Sequence, residues 1–234
     1  MAIRRPAYLP TRINRYVPGM QYAADVLDSG VTKISFGNTT AAANTTRITS
    51  NVTANLSSGN FTLQNTSGVE LTDCPWGRIL TITASNVSIT GYEATILGYD
   101  YLGQPMVEVL DPGSGNGTVN GTKAFKWVTS ANFTNGTGNN VTLSIGVGTA
   151  LGLPYKTVKV LAENVNGTVG TVGTLNAPNM TTQNATTTDP RGTYIPNASP
   201  NGATLIDITC IADTGVNLSN STLGGLFGLA HYGG

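Results

Sequence analysis

Charge is scarce in this sequence. Twelve Lys and Arg stand against twelve Asp and Glu in 234 residues, so charged side chains make up 10% of the chain and the net charge is zero. Without a basic surplus, nucleic acid is not expected as a general partner, because phosphate binding needs one. Without blocks of like charge, the chain does not read as a disordered polyelectrolyte. No run of about 18 apolar residues is present, which excludes a membrane-spanning helix. There is one histidine, His231, and there are two cysteines, Cys74 and Cys210. A His–Cys zinc site therefore lacks ligands. A Ser-His-Asp or Cys-His pair would have to use a histidine three residues from the end, in a glycine-rich tail. No Walker motif occurs, since the glycines of Asp111 to Gly117 are not followed by Lys-Ser/Thr. The start, Met-Ala-Ile-Arg-Arg-Pro, leads into no apolar h-region, so it does not read as a secretory signal and synthesis in a cytoplasm is expected. Two distant cysteines are too few for a disulfide scaffold and are expected as buried free thiols.

Small and turn-forming residues fill the space that charge leaves. There are 36 Thr, 23 Asn, 14 Ser and 29 Gly, a composition poor in helix formers and rich in β-branched and turn residues. Many short strand signals with turns between them predict an all-β, jelly-roll-like β-sandwich or barrel. Asn-x-Ser/Thr occurs eighteen times, against about 5 expected from composition. That excess reads either as a glycosylated surface or as Asn opening a turn and Thr entering the next strand. Without a secretory signal the second reading is preferred.

Residues 1–35 read as an extended arm with a short helix, and residues 36–234 as the β-sandwich domain. Residues 1–20 hold Arg4, Arg5, Arg12 and Arg15 with no acid, and Pro6, Pro10 and Pro18 disfavour both helix and sheet interior. Tyr8, Leu9, Ile13, Tyr16, Val17 and Met20 are apolar anchors, so the arm is expected to lie on another surface. Gln21 to Asp28 is the one plausible helix, about two turns long. Arg78 to Ala84, Val87 to Thr90, Glu93 to Leu97, Pro105 to Leu110, Thr122 to Val128, Asn140 to Val147, Lys156 to Leu161, Thr168 to Leu175 and Thr204 to Ala212 read as strands. The clearest is Asn140 to Val147, where Val141, Leu143, Ile145 and Val147 alternate with Thr142, Ser144 and Gly146. Asp111 to Gly121 reads as a loop, and the stretch 176–202 as a long excursion with a docking role.

Few residues offer chemistry. Glu93, Asp100, Glu108 and Asp111 fall in one hairpin-sized stretch and could form a carboxylate pair or a calcium site, but a solvated strand edge is the simpler expectation. Tyr92, Tyr99 and Tyr101 could stack on a sugar, though packing is the commoner use. No catalytic residue, metal or cofactor is expected.

Several segments, taken in order, carry a resemblance. They are Trp76 to Ser85 (WGRILTITAS), Gly98 to Glu108 (GYDYLGQPMVE), Lys123 to Lys126 (KAFK), Gly146 to Tyr155 (GVGTALGLPY), Asp189 to Pro196 (DPRGTYIP) and Leu226 to Tyr232 (LFGLAHY). Together, over roughly residues 70–232, they resemble head decoration or cement proteins of tailed, especially short-tailed, bacteriophages. The resemblance implies a virion structural protein with no enzymatic activity, seated as homo-oligomers on the outer face of the capsid lattice. Its partners would be the major capsid protein and other copies of itself. Arg4, Arg5, Tyr8, Arg12, Arg15, Arg191 and Tyr194 are then the candidate contact residues, with Arg191 on a rigid Pro-Arg-Gly loop suited to bidentate binding of a neighbour's carboxylate. A host-surface or glycan-binding virion module, fibre-head or adhesin-like, is the alternative, motivated by the tyrosines and the Asn-x-Ser/Thr excess.

Overall fold

The computed structural model describes residues 31–37, 40–49, 51–54, 58–85, 91–113, 116–134, 141–213 and 226–234. Over these residues the chain is all-β. Its strands are β1 (Val31–Ser35), β2 (Val52–Ala54), β3 (Gly59–Asn60), β4 (Val69–Glu70), β5 (Arg78–Ser85), β6 (Glu93–Tyr99), β7 (Pro105–Leu110) and β8 (Gly117–Phe125). They continue with β9 (Trp127–Thr134), β10 (Val141–Gly152), β11 (Thr157–Val165), β12 (Thr168–Gly170), β13 (Thr174–Asn176), β14 (Thr193–Ile195) and β15 (Ile206–Ala212). All pairings are antiparallel and build three sheets. The orders are β1-β15-β11-β12, then β13-β14-β10-β5-β8 with β2 also on β10, and β3-β9-β6-β7 with β4 also on β9.

The sheets pack as sandwiches because their strands alternate. Val141, Leu143, Ile145 and Val147 of β10, with Leu80, Ile82 and Ala84 of β5, face Ala94, Ile96, Met106, Val128, Ala131 and Phe133 of the β3-β9-β6-β7 sheet in one core. A second core gathers Ile34, Ile206, Ile208 and Cys210 of the β1-β15-β11-β12 sheet against Leu151, Leu153, Cys74 and Tyr194. Phe36 stacks on Tyr194 there, centroids 6.2 Å apart. The twelve-residue β10 runs through both cores, with a register irregularity between Val147 and Leu151 where it passes from one to the other. Cys74 and Cys210 are buried free thiols, and burial pushes Cys74 up to about 11.

Four expectations change. The strand expected over Thr168 to Leu175 is two, β12 and β13, which lie in different sheets because the chain leaves the strand at 171–173. Residues 31–35, read as the end of the arm, form β1 and pair with β15 from Val31↔Ile211 to Ser35↔Asp207. The loop expected to reach Gly121 ends earlier: Gly117 to Asn120 already pair with β5, whose strong strand residues supply a template that the glycines and Asn120 do not advertise. Phe125 and Trp127 do not share one strand, because the chain breaks at Lys126 between β8 and β9, leaving Phe125 buried and Trp127 partly exposed. The short helix and the strand expected at Val87 to Thr90 lie outside the described residues.

Candidate functional site

More than half of the charged side chains among the described residues are buried. Arg78, Lys123, Lys156 and Arg191 are buried, and so are Asp100, Glu108, Glu163, Asp189 and Asp207. A buried charge is tolerated only when paired and hydrogen-bonded, and here the bonds follow one rule. Carboxylates collect backbone N–H groups, of turns and of strand β8, and cations collect backbone carbonyls. Asp100 accepts from the Leu102 and Gln104 amides, both at 2.8 Å, which fixes the β6–β7 turn. Glu108 accepts from the Thr122 and Lys123 amides at 3.0 and 2.8 Å. Glu163 accepts from Asn197 and Ala198, at 3.1 and 3.3 Å. Lys123 Nζ donates to the carbonyls of Val107 (3.0 Å) and Asn184 (2.6 Å), and Lys126 Nζ to those of Leu71 and Cys74. Arg78 donates to the Ala41 and Gly148 carbonyls while pairing with Asp73 at 3.1 Å. Buried backbone groups need partners, and ionisable side chains supply part of them here.

The densest of these clasps closes the C-terminal residues onto the 176–202 stretch. Arg191 Nη2 donates to Asp100 Oδ2 at 2.8 Å and lies 3.1 Å from His231 Nε2. His231 Nε2 is 3.7 Å from Asp100 and 3.9 Å from Asp189. Asp189 holds the Ala124 amide at 3.0 Å and the Arg191 amide at 2.9 Å. The guanidinium sits 5.1 Å from the Tyr101 ring, whose hydroxyl donates to the Pro154 carbonyl at 2.6 Å. Burial pushes the Tyr101 hydroxyl up to about 12. Burial, seconded by Arg191, holds His231 below its ordinary value, although Asp189 and Asp100 pull the other way. Burial likewise lowers Lys123 and raises Glu108 to about 7. The His231 side chain is fully buried, and its partners among the described residues are Arg191, Asp100 and Asp189.

Several expected contact residues therefore stand elsewhere than expected. Arg191 is 2% exposed, and the carboxylate it binds is Asp100 of its own chain rather than a neighbour's. Tyr194 is fully buried: its hydroxyl receives the Gly173 amide at 2.7 Å and donates to Glu163 at 3.2 Å. Neither side chain presents a contact surface in this fold. Arg4, Arg5, Tyr8, Arg12 and Arg15 lie outside the described residues. The stretch 176–202 docks on its own chain through Asp189 to Tyr194. Of the four clustered carboxylates, Asp100 and Glu108 are buried clasps while Asp111 is exposed, so the solvated-edge expectation fails for two of them. Among the described residues no group of three His, Cys, Asp or Glu could hold a metal ion. Tyr92 is buried against Phe133, Tyr101 is tied to Trp76 and Arg191, and Tyr99 is exposed, so the three form no stacking platform.

Four of the eighteen Asn-x-Ser/Thr tripeptides have a conformational cause. In Asn44-Thr45-Thr46, Asn65-Thr66-Ser67, Asn179-Met180-Thr181 and Asn184-Ala185-Thr186, the Asn Oδ1 accepts the amide two residues on, at 2.8–3.0 Å. In the three that carry Thr at the third position, the Thr hydroxyl donates to the same oxygen at 2.7–3.2 Å. These are Asx turns reinforced by the third residue, which selects Thr at that spacing for a conformational reason. No family, no curated protein and no solved structure matches this chain.

Proposed function

We propose that this chain is a virion structural protein, a decoration or cement protein that binds the outer face of a major capsid lattice together with other copies of itself. The observation that carries this reading is the use of charge. The ionisable groups of the described residues are largely spent inside, as clasps that fix loops, while the outer residues are chiefly Thr, Asn, Ser and Gly. A surface of that kind suits broad, repeated contact. Loops already fixed lose little entropy on binding, and symmetry multiplies modest contacts into avidity. The arm, with Arg4, Arg5, Tyr8, Arg12 and Arg15, supplies the anchoring groups that the β domain keeps internal.

The glycan-binding alternative rested on the tyrosines and on the Asn-x-Ser/Thr excess. The tyrosines are dispersed and four of the tripeptides serve turns, so no observation favours it. Deletion of residues 1–18 tests the proposal. The truncated chain is expected to keep its circular dichroism and unfolding midpoint and to lose co-sedimentation with assembled shells. Undiminished shell binding by the truncated chain overturns the assignment.

A further inference from the structure

The last nine residues, 226–234, lie on few supports. The Lys156 amide donates to the Leu226 carbonyl at 2.9 Å, and the Phe227 ring rests 6.0 Å from that of Tyr155. Further on, the Val107 amide donates to the Tyr232 carbonyl at 2.8 Å, and the His231 amide donates to Gln104 Oε1 at 3.2 Å. β7 is the last strand of its sheet, so Tyr232 stands where a further strand would pair. Phe227, Ala230, Tyr232, Gly233 and Gly234 are exposed, and Leu226, Gly228 and Leu229 are partly buried. His231 is the one buried residue of the nine, and its imidazole is the anchor that enters the protein.

We propose that residues 226–234 are a pH-sensitive strap, held while the His231 imidazole is neutral and released when it is charged. The geometry at Nε2 carries this. A guanidinium can only donate, so the 3.1 Å contact with Arg191 Nη2 requires an unprotonated Nε2 that accepts. The ring's one proton is then on Nδ1, which has no hydrogen-bond partner among the described residues. A second proton, on Nε2, sets a donor and a positive charge against the guanidinium, and Arg191 is held in place by Asp100 at 2.8 Å. Every element packed around the ring brings charge. The β6–β7 turn brings Asp100, 3.7 Å away, and the 176–202 stretch brings Asp189, 3.9 Å away, and Arg191, whose guanidinium the Tyr101 ring flanks. β8 brings Lys123, which faces Glu108 of β7. The two aspartates favour the imidazolium, but both stand beyond hydrogen-bond distance and are bonded elsewhere, to backbone amides and to Arg191. Burial, Arg191 and Lys123 oppose it and prevail, since the ring is held below 6.5. Once released, the imidazole meets water and takes its proton near 6.5. The strap is therefore fully held above that pH and weakens as pH falls from 6.5 toward the lower value of the docked ring. Release frees the Val107 amide at the β7 edge and opens Arg191 and Asp100 to solvent, while the Val109 amide stays bonded to Ala185.

The chain has a single histidine, so its ring signals in a nuclear magnetic resonance titration need no assignment. The full chain is followed from pH 8 to pH 5 without shells, which keeps the outcome independent of the capsid assignment. Two backbone amides, corrected for the intrinsic pH dependence of exchange, report strap and fold. They are Val107, bonded to Tyr232, and Ile145 of β10, bonded to the Thr49 hydroxyl. Protection of Val107 is expected to fall several-fold between pH 6.5 and pH 5.5 while Ile145 stays protected, and the ring is expected to titrate below 6.5. A chain ending at Ala230 gives the Val107 exchange of a detached strap, and the full chain at pH 5 should approach it. In His231→Gln the Val107 profile should be flat with pH, whatever its level. Val107 protection that ignores pH, a slope that survives His231→Gln, joint loss at Val107 and Ile145, or a ring that titrates at or above 6.5 overturns the proposal.

Discussion

At the scale of single residues, the instructive case is Glu108. Its two carboxylate oxygens each receive a backbone amide, and Lys123, which it faces, sends its ammonium to two carbonyls instead. Burial is the largest influence and lifts the carboxyl from 4.5 to about 7, with the two amides, the Lys123 charge and the nearby Asp189 as smaller influences. The folded chain thus holds a proton that the unfolded chain releases between pH about 4.5 and 7. Stability contributed by this group falls as pH rises through that window and is level above it. His231 works in the opposite sense: held below 6.5 by burial, it takes its proton first in the unfolded chain, so stability falls as pH drops below 6.5. Urea unfolding across pH 4.5–8 should show that Glu108→Gln removes the loss on the rising side while the fall on the acid side survives. An unchanged slope in that variant would show that Glu108 does not titrate there.

At the scale of elements, β10 shows how one strand organises its neighbours. One edge takes β5 from Thr142↔Ser85 to Leu151↔Arg78. The other edge is shared by β2, the 44–49 segment and β14. Gly146 is where that second neighbour comes closest, and a Cβ there would meet the Asn44 carbonyl and the Thr45 backbone. Neither atom is the tip of a flexible side chain, so the cost of Gly146→Ala is that of overpacking, about 3 kcal/mol. Gly117 in β8 has open space around its missing Cβ, and Gly117→Ala should be neutral or stabilising by about 0.5 kcal/mol. Equal unfolding midpoints for the two variants would refute this account of the β10 edge. The same strand marks what could be read without coordinates. Its alternation of Val141, Leu143, Ile145 and Val147 with small residues is a complete period-2 signal, and it is a strand. Only the first half of β8 is hidden, because Gly117, Asn120 and Gly121 carry no propensity of their own and become strand by lying against β5, while its second half falls in the strand read from Thr122. Arg191 and Asp100 stand 91 positions apart, and His231 a further 40 beyond Arg191, so no local pattern pairs them. What the residues did betray was rarity: a single histidine and a handful of carboxylates in so uncharged a chain are seldom left idle.

At the scale of the molecule, the question is whether two cores make one cooperative unit. The first core lies between the β10-containing sheet and the β3-β9-β6-β7 sheet, and the second between the far end of β10 and the β1-β15-β11-β12 sheet. Two links join them. β10 contributes Val141 to Val147 to one core and Leu151 to the other, so fraying it exposes both. The Arg191–Asp100–His231–Asp189 clasp then ties the turn after β6 and the β8 amides to the segment that enters β14. Removing either core leaves β10 with one buried end and one wet end, and leaves clasp charges buried without partners, which costs about 3–5 kcal/mol for a broken buried pair. Unfolding is therefore expected to be a single transition. The two thiols report only the second core, since Cys74 and Cys210 both lie there and neither is accessible in the folded chain. Near-ultraviolet circular dichroism reads the aromatic residues of both cores, Tyr92 beside Phe133 and Phe61 in the first and Tyr194 with Trp76 in the second. Thiol labelling and the near-ultraviolet signal, followed through the same denaturant series, should share one midpoint. Thiols that become reactive while part of the aromatic signal survives to higher denaturant would mean that β10 does not couple the cores and that the second sandwich opens alone.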